Sequence, residues 1–370
     1  MRPKKDQSRP LRILYLLTDG FGGHGGIAAY NRDVLNAMCG DPAVGKVVAL
    51  PRVIPLPLQA LPPKLEYRVR AADGTAAYLR ALLQAIARER FDVIYCAHIH
   101  LSSLALMASR LTGTPWILAM YGIDVWEKPR RRSARYACTR ADQYLSISKI
   151  TRDRFCSWSG VDAARVDLMP NAIHLEAFGL SPRNPDLVAR YGLDGKRVVM
   201  TFGRMDTFER YKGFDEILDL LPTLTDQPEI VYVLAGDGAD RKRLEAKAEA
   251  LGVSDRAIFT GYVPEVEKAD HYRLADAYAM PSTGEGFGFV LIEALACGVP
   301  TIGSIADGGR EALRDGMLGD LVDPKDPDGI RRAVLAALGK PKAIPDGLSY
   351  FAFPAFSQRI AALTAKTAGR

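Results

Sequence analysis

Short apolar runs alternate with amphipathic stretches along the whole chain, and each half repeats the alternation. In the first half LRILYLLT (11–18), KVVAL (46–50), DVIYCAH (92–98), WILAMYG (116–122), QYLSIS (143–148) and VDLMPN (166–171) predict strands. In the second, RVVMTFGR (197–204), IVYVLAGDG (230–238), AIFTGYV (257–263), AYAMPS (277–282), PTIGS (300–304) and GDLVDP (319–324) do the same. Between them, stretches such as YLRALLQAIARER (78–90) and ADRKRLEAKAEALG (239–252) space their apolar residues at the helical period. Strands alternating with helices of this length build parallel sheets covered by helices on both faces. The expected fold class is therefore α/β, with two facing Rossmann-like domains.

Two irregular stretches interrupt the alternation. SPRNPDLVARYGLDGK (181–196), polar and carrying two prolines, is read as a linker. It divides a first domain (1–180) from a second (197–345), and the closing residues 346–370 are expected to form a helix that packs toward the first domain. PRVIPLPLQALPPK (51–64), with five prolines, reads as a surface loop within the first domain. Open α/β sheets bind ligands beyond the carboxyl ends of their strands, so an interdomain cleft is the expected place for chemistry. Loops 19–26, 121–126, 203–213, 236–240 and 282–288 qualify.

Length agrees, because 370 residues exceed the size at which one core usually keeps growing. An apolar fraction of 48% with 25% charged residues is ordinary for a globular enzyme. Cysteines 39, 96, 138, 156 and 297 form no close pair, which indicates neither a disulfide framework nor a zinc site. MRPKKDQSRP lacks the apolar stretch of a signal peptide, and no run of about 18 apolar residues is present to span a bilayer, so a cytoplasmic location is expected. The formal charge of +6 concentrates in residues 128–144, where five arginines fall between 130 and 140. Without a nucleic-acid-binding module this points to an anionic membrane surface rather than to nucleic acid.

The stretch MPSTGEGFGFVLIEALACGVP (280–300) carries the chemistry. A strand ends at AYAMPS, TGEGFG forms a helix entrance, and Gly298 with Pro300 closes the helix. Glycines let backbone amides of Gly286, Phe287 and Gly288 approach an anion that the helix dipole favours. Glu293 would lie roughly 9 Å along the helix from Phe287, about the span from a diphosphate to a ribose. Glu285, on the other side of the phosphates, would accept hydroxyls of an attached sugar. The alternative is a solvated turn glutamate and a solvent-facing helical one. A second cluster argues against it: GRMDTFERYKG (203–213) places Arg204, Arg210 and Lys212 in a loop on the same sheet edge, where fixed cations can hold a departing nucleoside diphosphate without a metal.

These segments, with VYVLAGDGADRKRLEAKAEALGV, FTGYVPEVEKADHYRLADAYAMPS and EGFGFVLIEALACGVPTIGS, resemble the C-terminal domain of a retaining glycosyltransferase of the GT-B fold, family 4. The resemblance covers about 130 residues and includes the family's E-x7-E motif. It implies that Glu285 contacts the donor sugar, Glu293 the ribose, and Arg204 and Lys212 the diphosphate. Arg204 and Lys212 lie slightly further apart than is usual in the family. Tyr262 and Val263 would face the base, with Lys268 a weaker candidate there. In TDGFGGHGGIAAYNRDVL (18–35), Gly25 and Gly26 match the family's N-terminal glycine loop. In ILAMYGIDVW (117–126), Tyr121 stands where the family carries a histidine that reaches toward the reacting sugar. A tyrosine can still hydrogen-bond a sugar hydroxyl but does not relay a proton as imidazole does.

Asp124 follows as a candidate acceptor contact, as do His98 and His100. Read as i and i+2 on a strand, the two histidines would point to opposite faces and not share a metal. The only D-x-D, Asp326 and Asp328 around Pro327, reads as a helix start, so no metal site and no cofactor are expected. The implied activity is retaining, metal-independent transfer of a hexose such as glucose or mannose. The donor would be a UDP- or GDP-sugar and the acceptor a hydroxyl of a glycan or lipid-linked sugar in bacterial cell-surface or exopolysaccharide synthesis. A catalytically inactive sugar-nucleotide-binding protein and a GT-B sugar-nucleotide epimerase remain as alternatives.

Overall fold

The computed structural model describes residues 9–370; the basic segment 1–8 lies outside them. The chain divides into two compact units, one of residues up to Ala172 together with Phe353–Arg370, the other of Ile173–Ala352. Among the described residues no helix is long and apolar enough to cross a membrane.

In the first unit seven parallel strands, β1 (Leu11–Leu17), β2 (Val44–Pro51), β3 (Leu65–Tyr67), β4 (Val93–Cys96), β5 (Trp116–Met120), β6 (Gln143–Ser146) and β7 (Val166–Leu168), form one sheet in the order β3-β2-β1-β4-β5-β6-β7. The second unit repeats the plan with β8 (Arg197–Phe202), β9 (Ile230–Ala235), β10 (Ala257–Phe259), β11 (Ala277–Ala279), β12 (Thr301–Ser304) and β13 (Asp320–Val322), in the order β10-β9-β8-β11-β12-β13. Central strands β4, β5, β9 and β11 are buried at every residue. Helices on both faces require this, and it is why these strands read as continuous apolar runs. Both sheets reverse direction of growth once, between β1 and β4 and between β8 and β11. At such a switch point the two loops leaving the strands part toward opposite faces and open a crevice.

Twelve of the strands fall where the apolar runs place them. The thirteenth, β3, does not announce itself: it is a three-residue edge strand beyond the prolines of 51–64, paired Val47↔Leu65 to Ala49↔Tyr67. Several runs overshoot, since 97–98, 121–122, 236–238 and 260–263 belong to loops at the carboxyl edge rather than to strands. The loop 52–64 is anchored by Leu56 N to Gly22 O (2.9 Å) and Gln59 N to Phe21 O (2.8 Å).

The stretch 181–196 is not a linker. Pro185–Tyr191 is a helix capped by the Asn184 side chain, which accepts from Asp186 N at 3.0 Å, and ended by Gly192 in the left-handed region. Pro185 stands at the start of that helix, where its missing N–H costs nothing, so the proline that reads as a breaker is an initiator. Arg183 pairs with Asp276, and Asn184 Nδ2 reaches Asp270 at 3.1 Å, which fixes the segment in the second unit. The boundaries therefore fall at 172/173 and 352/353 rather than at 180 and 345. The final helix, Phe353–Ala368, belongs to the first unit: the Phe356 ring lies 5.5 Å from Tyr30, and Lys366 Nζ lies 3.0 Å from Asp167.

The β8 edge is held by backbone in close approach. A Cβ at Gly236 (φ +128°) would lie 2.1 Å from Gly203 O. Gly236→Ala combines that overlap with an unfavourable φ and is expected to destabilise the second unit by about 2–4 kcal/mol, read as a lower midpoint in urea unfolding. Gly252→Ala, at φ +67° but with open space around it, is expected to lose only part of that.

Candidate nucleotide-sugar site

The β8/β11 switch point gathers the residues that the motifs single out in the second unit. The loop after β8 returns through a tight turn at Arg210–Lys212 to Gly213 (φ +85°), whose backbone lies against Pro281 at the end of β11. Tyr211 O accepts from Thr283 N at 2.9 Å, and the Tyr211 ring leaves room only for glycine at 284, where a Cβ would stand 2.8 Å away. The two loops are therefore locked together, and the lock brings Lys212 Nζ to 3.2 Å from Glu285 Oε2. Both side chains are largely buried. Burial alone would pull the Lys212 ammonium down, but Glu285, with Tyr211 and Glu209 nearby, holds it above its ordinary value.

Gly288, in the left-handed region, opens the helix Phe289–Ala296. The helix begins two residues later than its sequence suggests, because Phe287 is buried with its ring 5.5 Å from Phe351. Glu293 consequently lies about 6 Å along the axis from the first helical residue, one turn in. It faces inward, 6% exposed, taking Lys268 Nζ at 2.5 Å on one oxygen and the Tyr272 hydroxyl at 2.7 Å on the other. Lys268 also lies 5.9 Å from the Phe202 ring, which stacks on Tyr272. Tyr262 is 79% exposed while Val263 beside it is buried. Arg204 is largely exposed and pairs with Glu209, whose carboxylate also lies 3.7 Å from Lys212 Nζ. Arg210 pairs with Asp240.

One residue that shapes the glycine turn carries no motif signal. Asp307, in the loop after β12, accepts from Glu285 N (2.8 Å) and Gly309 N (2.9 Å), while Gly308 N donates to Glu285 O (2.9 Å). A Cβ at Gly308 would meet Gly286 O at 2.2 Å. The glycine turn 284–288 is thus shaped by ADGG (306–309), a signal visible only as an Asp-Gly-Gly after a strand.

Within the first unit, Gly25 (φ +86°) opens the helix Gly26–Gly40, and both glycines are exposed with nothing near their Cβ positions. Tyr121 is 9% exposed and donates to Asn31 Oδ1 at 2.9 Å, sharing that acceptor with Tyr15 (2.9 Å). Asn31 Nδ2 in turn donates to Asp19 O (2.9 Å), and Arg32 Nη1 to Gly20 O and Gly23 O, so consecutive residues of the helix brace the glycine loop. Asn31 was detectable as a polar residue in an otherwise apolar helical stripe. Asp124 Oδ1 accepts from Tyr121 N (3.1 Å), and burial pushes its carboxyl up to about 7. His98 and His100 are not on a strand: β4 ends at Cys96, and His98 Nδ1 accepts from His100 N at the start of a tight turn. Their rings lie 5.1 Å apart rather than on opposite faces, and burial lowers His98 to about 4.

The family profile for glycosyl transferases group 1 matches residues 188–344, and that for the glycosyl transferase 4-like domain matches residues 27–172. The chain belongs to the GT-B glycosyltransferases of family 4. This family member is 32% identical over 254 residues to the GDP-mannose-dependent alpha-(1-6)-phosphatidylinositol monomannoside mannosyltransferase of Mycolicibacterium smegmatis, covering 65% of each chain. It is 29% identical over 294 residues to the phosphatidyl-myo-inositol mannosyltransferase of Mycobacterium tuberculosis, covering 77% of this chain and 71% of that one. The chain thus spans about two thirds of the length of the curated relatives it matches. Its fold is that of HepE of Anabaena, solved in complex with UDP and glucose, with a TM-score of 0.75 at 19% identity, covering 96% of this chain and 99% of that one.

Burial pushes the Asp307 carboxyl up to about 6, against the amide bonds that favour its charged form. The folded state then keeps a proton that the unfolded chain releases near pH 4. Stability contributed by this group is present at acid pH and is lost as pH rises from about 4 to 6. Asp307→Asn is expected to remove that fall, so the difference in unfolding free energy between wild type and variant changes across pH 4–6 and is flat above it. Urea titrations at each pH read it.

Proposed function

We propose that the protein transfers a hexose from a nucleoside diphosphate sugar to a hydroxyl of a lipid-linked or glycan acceptor, with retention at the anomeric carbon. The observation that carries the reading is the buried Lys212–Glu285 pair at the mouth of the helix Phe289–Ala296, with Glu293 and Lys268 paired one turn further in. A diphosphate seated at the 284–288 amides gains charge as the bond to the sugar breaks, and Lys212, joined by Arg204, neutralises it in a low-dielectric setting. Glu285 accepts from hydroxyls of the sugar and Glu293 from those of the ribose. The acceptor oxygen attacks on the face the phosphate leaves: the C1–O bond to phosphate breaks, the C1–O bond to acceptor forms, and the acceptor proton passes to the departing phosphate oxygen. Charge neutralisation is assigned to side chains rather than to a metal ion.

GDP-mannose is the donor named for one of these relatives, and both names favour a phosphatidylinositol-type lipid acceptor. A UDP-sugar is the rival, since the HepE complex holds UDP. A lipid acceptor places the enzyme at the inner membrane face. The exposed Lys128, Arg130, Arg131, Arg132 and Arg140 suit an anionic leaflet. One observation favours an inactive binder instead: the Tyr121 hydroxyl is committed to Asn31 where the family has a histidine.

Thermal-shift measurements with GDP, UDP and ADP sugars are expected to raise the midpoint for one base, an excess of 100-fold over Kd adding about 2.7 kcal/mol. Slow donor hydrolysis without acceptor is expected, and Lys212→Ala and Glu285→Ala to lower it by about 10²- to 10³-fold with the fold retained. Nucleotide binding with no turnover in the wild type supports the binder. Separately, vesicles containing anionic lipid are expected to sediment the protein at low salt, and reversal of Arg130, Arg131 and Arg132 to glutamate to abolish this. Equal sedimentation by both proteins removes the membrane assignment.

A further inference from the structure

The two cations assigned to the diphosphate already share a carboxylate of their own loop. Arg204 holds Glu209 through Nη2 to Oε1 and Nε to Oε2, the latter at 3.3 Å, and Lys212 Nζ lies 3.7 Å from the same Oε2. A carboxylate gripped by a guanidinium through two nitrogens and flanked by an ammonium presents the arrangement that these groups would offer to phosphate oxygens. Glu209 is largely buried although the Arg204 side chain is 64% exposed, so it is Glu209 that reaches inward.

The loop is anchored at its ends, and the ion pairs of the Glu209 side chain are to Arg204 and Lys212 of the loop itself. At one end, Gly203 O and Met205 O fill the places a Cβ would take at 236 and 238, and Met205 N donates to Asp237 O at 2.9 Å. At the other, Tyr211 is tied to Thr283 and packed on Gly284. Between these anchors the arc 206–210 carries Phe208 at 91% exposure. Glu209 and Glu285 offset the charges of Arg204 and Lys212, so these two cations attract an incoming anion less while both carboxylates stay paired with them. The Glu285 backbone is tied to the loop after β12 by Asp307 and Gly308. The backbone bonds of Glu209, its N to Asp206 O (2.9 Å) and its O from Lys212 N (3.3 Å), stay within its own loop.

We propose that Glu209 is a resident occupant of the diphosphate position, which holds Arg204 and Lys212 in place when the site is empty, is displaced by the donor, and returns to expel the nucleoside diphosphate product. It thereby sets nucleotide affinity and the rate of product release. The inference rests on the donor assignment above and adds to it a residue that opposes binding. Loss of an acidic side chain at a loop brace weakens a site. Loss of a competitor tightens it.

Calorimetric titration of UDP, GDP and ADP into the full chain distinguishes the two, using wild type, Glu209→Gln, and Glu229→Gln as a charge-matched control at the opposite edge of the sheet, where Glu229 pairs with Arg197. Glu209→Gln is expected to lower Kd for the preferred diphosphate roughly fivefold to tenfold, as a partly screened charge pair would. The gain shrinks as salt is raised and is absent for the nucleoside without phosphate. Product inhibition strengthens in parallel, and kcat falls where release limits turnover. The control is expected to match wild type. Equal or weaker diphosphate binding by Glu209→Gln, with wild type binding normally, overturns the role of Glu209 alone. Failure of wild type and Glu209→Gln to bind UDP, GDP or ADP overturns the donor assignment, and this inference with it.

Discussion

A parallel sheet that grows outward in both directions from its middle leaves one place where adjacent strands send their loops to opposite faces. In the second unit that place lies between β8 and β11, and close backbone approaches there and at the ends of the neighbouring strands β9 and β12 shape it. Gly236 meets Gly203, Gly238 meets Met205, Gly213 meets Pro281, and Gly308 meets Gly286, in each case nearer than any Cβ permits. Everything proposed for this protein depends on that approach, because it holds Lys212 and Glu285 within hydrogen-bonding distance and leaves the amides of the glycine turn beside them.

Taking an ammonium out of water is costly, and an ion pair compensates only where the geometry is good. The second unit does this twice, with Lys212 on Glu285 and Lys268 on Glu293, at successive depths of one helix entrance. In neither case is the pair needed to fill the core. Each keeps a carboxylate oxygen at a defined place, with a cation that remains charged, and Tyr272 fixes the second oxygen of Glu293. In the proposed function a polyhydroxylated anion would meet acceptors and donors already set in position, which lowers the ordering cost of binding. In the role proposed for Glu209, its carboxylate opposes this at Lys212, which it shares with Glu285.

The first unit solves a similar problem without charge. Tyr15 and Tyr121 share one acceptor on Asn31, whose amide nitrogen turns to the backbone at Asp19. The tyrosine at the family's histidine position is therefore part of the brace for the glycine loop, and burial keeps its hydroxyl protonated.

Parallel strands buried on both faces are written as continuous apolar runs, so the strand inventory, the repeated halves, the E-x7-E motif and the basic loop 203–213 were legible along the chain. Local rules also account for the misreadings. Pro185 initiates a helix in the same sequence that a linker would use, Phe287 leaves its helix because Phe351 is there to pack on, and β3 exists only because β2 offers an edge. Sequence determined which residue types lie near which strand ends, because that follows from period and order. Only the tertiary structure decided which groups meet, since Lys212 and Glu285, Lys268 and Glu293, and the Asp307 carboxylate and the Glu285 N–H it accepts come from different crossovers, and their distances depend on backbone contacts that no local pattern records.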